Sequence, residues 1–122
     1  MTIDQVITKV DNQKPNAYTK TEKIDWLSEL DGMIKAEVID THEGGEDIFF
    51  DAYSANDGSM ELLVDAPYDI MYIHWLEAKI DYANAEYNKY NNSMAMFQTK
   101  YRGFTSWYNR HHMPNETKFT YF

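Results

Sequence analysis

The chain has 122 residues, enough for one domain with a modest core, and it has no cysteine, which excludes a disulfide framework and a thiolate zinc site. Eleven Lys and Arg stand against 20 Asp and Glu, a formal charge of −9 spread through the chain, and a field of that sign opposes the phosphate contacts on which nucleic-acid affinity rests. Ten Tyr, six Phe and three Trp are residue types enriched in cores and in protein interfaces.

The opening MTIDQVITKVDN carries acids among its apolar residues and has neither a basic leader nor a continuous apolar run, so no signal peptide is expected. No stretch reaches the roughly 18 apolar residues of a membrane span, and a soluble, cytosolic product with no membrane partner is expected. Ile3, Val6, Ile7 and Val10 fall on one stripe, which predicts a short first helix over 3–10 with Thr2 as its N-cap. Asp11 to Tyr18, with Pro15 in the middle, reads as a linker. A second helix is predicted from about Thr21, with that hydroxyl as cap and Glu22 in the first turn. Ile24, Leu27, Leu30, Ile34 and Val38 recur at helical spacing, Gly32 interrupts the pattern, and Gly44-Gly45 ends it.

From Gly45 to Ala66 the pattern changes. "EDIFFDAY" and "SMELLVD" are β-prone runs separated by the turn signal Ala55-Asn56-Asp57-Gly58, so a small β-hairpin and an ordered loop both fit this long connection, 43–66. Such connections are usually functional or disordered, and Phe49, Phe50 and Tyr53 within it are candidate interface residues. The competing reading has them cover the open side of the bundle. Asp65-Ala66-Pro67 predicts the start of a third helix, with Met71, Trp75, Ala78, Tyr82 and Ala85 as its apolar stripe. Asp69, Glu77, Asp81, Asn84 and Asn88 lie on a polar side that should face water or another subunit.

The segment "NKYNNSMAMF" decides between rod and bundle. One helix from Pro67 to His112 would be about 46 residues, or roughly 69 Å, far beyond the usual length in a globular domain. Asparagine tolerates the left-handed conformation and caps helices, so a turn is predicted between Asn88 and Ser93, making an antiparallel hairpin. The fourth helix carries Met94, Phe97, Tyr101, Phe104, Tyr108 and His111 at steps of three and four. Met113-Pro114 ends it, and "ETKFTYF" closes the 114–122 tail with strand-like alternation. The expected fold is all-α, a single domain over 1–122 built as a bundle of about four helices.

No constellation specifies catalysis, and no enzyme is expected. His74 and Glu77 lie three apart and Glu77 and Asp81 four apart, a spacing that can hold a metal, but a carboxylate-bridged site needs such ligands on several facing helices and no second Glu-x-x-His set is present. A solvated or inter-subunit polar stripe is the stronger reading. His42, beside Glu43, and the pair His111-His112 can each be ligands or acid–base groups, but cations favoured at helix C-termini are the stronger reading. Neither a phosphate loop nor a nucleophile elbow is present, and no metal or other cofactor is expected.

"LDGMIKAEVIDTHEGGE" (Leu30–Glu46), "ELLVDAPYDIMYIHWLEAKIDYANAE" (Glu61–Glu86) and "YNNSMAMF" with "YNRHHMP" (Tyr90–Pro114) resemble, in this order, the small head-to-tail connector proteins of tailed phages and prophages of Gram-positive bacteria. The match departs at Asp65, where the family string carries proline. The resemblance implies a structural virion protein, a small helical bundle whose copies form a ring on the portal and extend the DNA channel toward the tail. Its implied partners are other copies of itself, the portal, and tail or stopper proteins, with DNA passing without tight binding. Its implied place is the virion, and the host cytoplasm during assembly. Glu77 and Asp81 are then candidate channel-facing acids, with ordinary solvated helix surface as the alternative. An acidic helical adaptor or inhibitor that binds a basic protein partner is the rival class.

Overall fold

The computed structural model describes residues 1–115. Four helices carry the fold: α1 (Ile3–Gln13), α2 (Lys20–Glu37), α3 (Ile70–Ala83) and α4 (Tyr87–His111), with single 3₁₀ turns at Ile39–Thr41 and Gly45–Asp47. The expected all-α bundle with a long antiparallel hairpin is what the chain forms. Among the described residues there is no strand, only isolated bridges joining Thr2 to Glu61 and His42 to Pro114. The strand-like alternation expected in the tail falls on residues 116–122, outside the described residues.

α1 starts where the sequence predicts. Gln5 N–H donates to Thr2 Oγ1 (3.1 Å) while Thr2 N–H donates to Gln5 Oε1 (2.9 Å), a reciprocal cap, and Ile3, Val6, Ile7 and Val10 are buried. The cap of α2 is Thr19 rather than Thr21. Glu22 stands three residues after Thr19 and reaches back to its N–H (2.9 Å), whereas Thr21 is followed at that spacing by Ile24, which has nothing to offer. α2 stops at Glu37, well before Gly44-Gly45, because the Thr41 hydroxyl and the His42 ring both bond the Val38 carbonyl and turn the chain aside. Gly44 then takes the left-handed conformation (φ 84°), and Gly45 packs so tightly on the Ile39 carbonyl that a Cβ would sit 2.2 Å from its oxygen.

The connection 43–66 does not pair with itself. Its turn forms, with Asp57 N–H donating to Ser54 O and Met60 N–H to Asp57 O, but the flanking residues find other partners. The Met60 and Gly58 carbonyls accept the first two amides of α1, Ile3 N–H (3.1 Å) and Asp4 N–H (2.9 Å), which no helix can satisfy from within. A hairpin would leave those donors unpaired, and the connection is instead a strap across the helix end.

α3 begins at Ile70, three residues after Pro67, since Leu63 and Val64 are held by side chains of α2 and α3 and the chain needs Asp65–Asp69 to turn into the helix. It is the central helix. Met71, Tyr72, Ile73, Leu76, Ala78, Ile80 and Asp81 are buried and lie all round its axis, so the predicted stripe named one side of an element enclosed on most sides. Tyr82, placed in that stripe, is 58% exposed.

The chain folds back at Asn84–Glu86, not at Asn88–Ser93. Glu86 N–H donates to Asp81 O (2.8 Å) and Ala85 N–H to Tyr82 O (3.0 Å), with Ala85 left-handed at φ 58°, which together form a Schellman motif. The asparagines lie within α4 and are exposed at its first turns. Their small helix penalty, roughly half a kcal/mol each, is outweighed by docking the apolar face that follows, where Phe97, Phe104 and Tyr108 are buried against the core. An alanine held left-handed costs roughly 1–2 kcal/mol, offset in part by the greater unfolded-state freedom of glycine. Ala85→Gly is therefore expected to raise stability by up to about 1 kcal/mol, while the same change at exposed, helical Ala95 lowers it by about 1 kcal/mol. Urea unfolding of the two variants checks the opposite signs.

Candidate functional site

The centre of the molecule is polar. Asp31 on α2 is fully buried, and its carboxylate accepts from the Tyr72 hydroxyl (2.6 Å), the Leu63 N–H (3.1 Å) and the Tyr53 hydroxyl. The Tyr72 hydroxyl in turn accepts from Val64 N–H (2.9 Å). One carboxylate thus ties α2, α3 and both halves of the strap. Burial pushes its pKa above the usual carboxylate range, while the three donors work in the opposite direction. Burial and the adjoining Asp31 charge push both tyrosine hydroxyls well above their ordinary range, so they remain donors.

Tyr53, a candidate interface residue, belongs to this centre, with 7% of its surface exposed, and is corrected from interface to core. It was misplaced because its hydroxyl pairs with an acid 22 residues earlier, and spacing in the sequence carries no trace of that contact. Phe50 is half-buried over Gly32, edge-on to Tyr53 at 5.2 Å. Phe49 is the exception: it is 84% exposed.

Asp81 is likewise corrected. It is fully buried, with Lys14 Nζ at 2.6 Å and Ser93 Oγ at 3.1 Å, and so locks the end of α1 and the start of α4 onto α3. It does not line a surface stripe. The central position of α3 buries a side that would be wet on an outer helix. Glu77 is mostly covered beside His74, whose Nδ1 lies 3.8 Å from Glu77 Oε1 without a hydrogen bond. Burial lowers the His74 pKa, against the pull of Glu77. His42, read as a helix-end cation, is buried with its ring nitrogens against Val38 O (2.6 Å) and the Asn109 side chain (2.6 Å), joining α2 to α4. Among the described residues no group of three or more His, Cys, Asp or Glu is arranged to hold a metal. No helix among them is long and apolar enough to cross a membrane.

The surface carries what the motif reading missed. No lysine or arginine occurs between Lys35 and Lys79, and none of the acids between Glu86 and Glu116: α4 brings Lys89, Lys100, Arg102 and Arg110 and not one carboxylate. The charge is segregated rather than spread, with an acidic strap and a basic helix, and the signal was visible as a count by segment rather than over the whole chain. Within the described residues Lys100, Arg102 and Arg110 make no ion pair. Beside them a groove of about 310 Å³ runs between α2, α3 and α4, lined by Met33, Trp75, Met94, Phe97 and Tyr101, with Arg102 and Glu37 on its edges. Trp75 is fixed there by donating to the Trp26 carbonyl (2.8 Å) and by Lys79 over its ring (4.8 Å).

Comparison with protein-family models, with curated proteins and with solved structures gave no match.

Asp31→Asn replaces an acceptor with a donor facing Leu63 N–H or a tyrosine hydroxyl, and is expected to cost about 2–3 kcal/mol. Tyr72→Phe, which orphans Val64 N–H, is expected to cost about 1–3 kcal/mol, and the double variant less than the sum, as urea unfolding of the cycle will measure. For His74, the folded pKa lies below 6.5, so near that pH the unfolded chain binds more protons and stability falls as pH drops through it. His74→Gln should flatten this limb, and an unchanged difference between wild type and variant across pH 5 to 8 would contradict the assignment.

Proposed function

We propose that the protein is a structural virion subunit, a head-to-tail connector that assembles as a ring on the portal of a tailed phage or prophage and extends the DNA channel toward the tail. The reading starts from the resemblance of residues 30–114 to that family. The observation that carries it is that the three strings responsible for the resemblance meet one another in the fold. Asp31 of the first string holds Leu63 and Tyr72 of the second; Asp81 of the second holds Ser93 of the third; His42 of the first pairs with Asn109 of the third. Residues that build one another's contacts are those a shared fold would keep.

Charge supports the same reading. A channel wall should let DNA slide, and a subunit of −9 repels phosphate at range. With Asp81 buried, the acids available to such a wall are exposed surface carboxylates such as Asp25, Glu43 and Asp65.

The free protein is expected to show no measurable affinity for duplex DNA at physiological salt. Micromolar binding that weakens steeply with added salt contradicts this, because it would mean that the four cations of α4 act as a phosphate-binding face. Deleting the coding sequence from the phage or prophage that carries it should leave heads that never join tails, restored by a plasmid-borne copy. Intact infectious particles without it, or a coding sequence outside any tailed phage or prophage, reject the proposal. A protein that stays monomeric and captures a basic partner points instead to the adaptor class.

A further inference from the structure

We infer that the acidic strap of one copy, with Phe49 at its crest, seats in the groove between α2, α3 and α4 of the next copy, a head-to-tail contact that rests on the ring reading for its closure. Phe49 is 84% exposed and is flanked by Glu46, Asp47 and Asp51, with no cation in the strap. Phe49 shares one depression with half-buried Phe50 and with Met60, itself 47% exposed, and a contiguous apolar patch of this kind on a well-packed subunit marks a contact surface. The groove offers the complement: aromatic and methionine walls from Trp75, Met94, Phe97 and Tyr101, an Arg102 rim without a partner within the described residues, and Lys100 on the same helix. Glu37 is the one acid on its edge, facing α2's side.

The two surfaces cannot meet within one copy. Ser28 accepts the Tyr53 N–H and Gly32 lies under Phe50, so that side of α2 faces the strap, whereas Met33 and Glu37 face the groove. At about 100° per residue these directions are roughly 100–180° apart around the α2 axis. Two unlike, complementary patches facing different directions around α2 give a heterologous contact rather than a two-fold dimer, and such a contact propagates from copy to copy, closing into a ring when the rotation between copies permits. Opposite charge sets the register and the rate of encounter, and the aromatic contact supplies the attraction.

The chain has no cysteine, so paired single-cysteine variants read the contact directly. Ala52→Cys on the exposed strap and Gln98→Cys on the groove edge, each in the full chain, are mixed with a short bis-maleimide at high protein concentration. The expected product is the mixed dimer. It should disappear when Phe49→Ser is added to the Ala52→Cys chain, fall at least several-fold with Arg102→Glu, and return when Asp51→Arg accompanies Arg102→Glu. Circular dichroism should show unchanged helix content in the Phe49→Ser chain, because that side chain is outside the core. Cross-linking of Ala52→Cys or Gln98→Cys chiefly with itself, or no mixed product, overturns the inference. Rings seen by electron microscopy of the wild-type chain without the mixed cross-link would leave the connector reading standing and reject this contact alone. Tail joining that survives deletion would reject the connector reading whatever the cross-link shows.

Discussion

The fold depends on one buried carboxylate. Asp31 is surrounded by donors that lie 22 to 41 positions further along the chain, in both halves of the strap and in α3, and without it two tyrosine hydroxyls and a backbone amide would lose their acceptor in the interior. An unpaired buried group of this kind costs more than a made hydrogen bond returns, so the network acts by exclusion: alternative packings of the strap leave donors empty. The strap is otherwise a long connection without secondary structure beyond single turns. It is ordered because Asp31 takes its second half, Ser28 takes Tyr53 N–H, and the start of α1 takes Met60 and Gly58.

Two further polar contacts do for the helices what Asp31 does for the strap. Lys14–Asp81–Ser93 joins α1, α3 and α4 at one end of the hairpin, and Val38–His42–Asn109 joins α2 and α4 at the other. Apolar helix faces slide and rotate at modest cost, whereas a buried polar group held by specific partners does not. The result is a subunit whose surfaces keep a fixed relation to one another, which is what repeated contact between copies demands. The proposed ring needs a strap and a groove held on opposite sides of α2, and these stitches hold them there.

The segregation of charge gives that arrangement a direction. An acidic strap with a bare phenylalanine and a basic helix beside an aromatic groove are not self-complementary, so like patches repel and unlike patches attract. A subunit of large net charge can in this way remain apart from others at random while still binding in one orientation, and the remaining carboxylates are available to face passing DNA in the proposed channel.

Local signals settled the helices of this protein. The stripe Ile3-Val6-Ile7-Val10 with its Thr2 cap, the run Ile24 to Val38, and the Phe97-Phe104-Tyr108 face are periodic at 3.6, and burial of those faces followed from their spacing alone. That the chain must fold back was legible from length, and the four-helix class with it. Where the fold-back occurs was not, because the deciding alanine at position 85 has no left-handed preference and the asparagines that do have one were outweighed by packing. Tertiary structure alone decided which polar residues are interior: Asp31, Asp81 and Tyr53 look like surface or interface residues in a sequence, since their partners lie 12 to 67 positions away. It also decided that the β-prone strap pairs with the end of α1 rather than with itself, for the first amides of a helix are donors that must be met from outside, and their position is set by the fold and not by the strap's own residues.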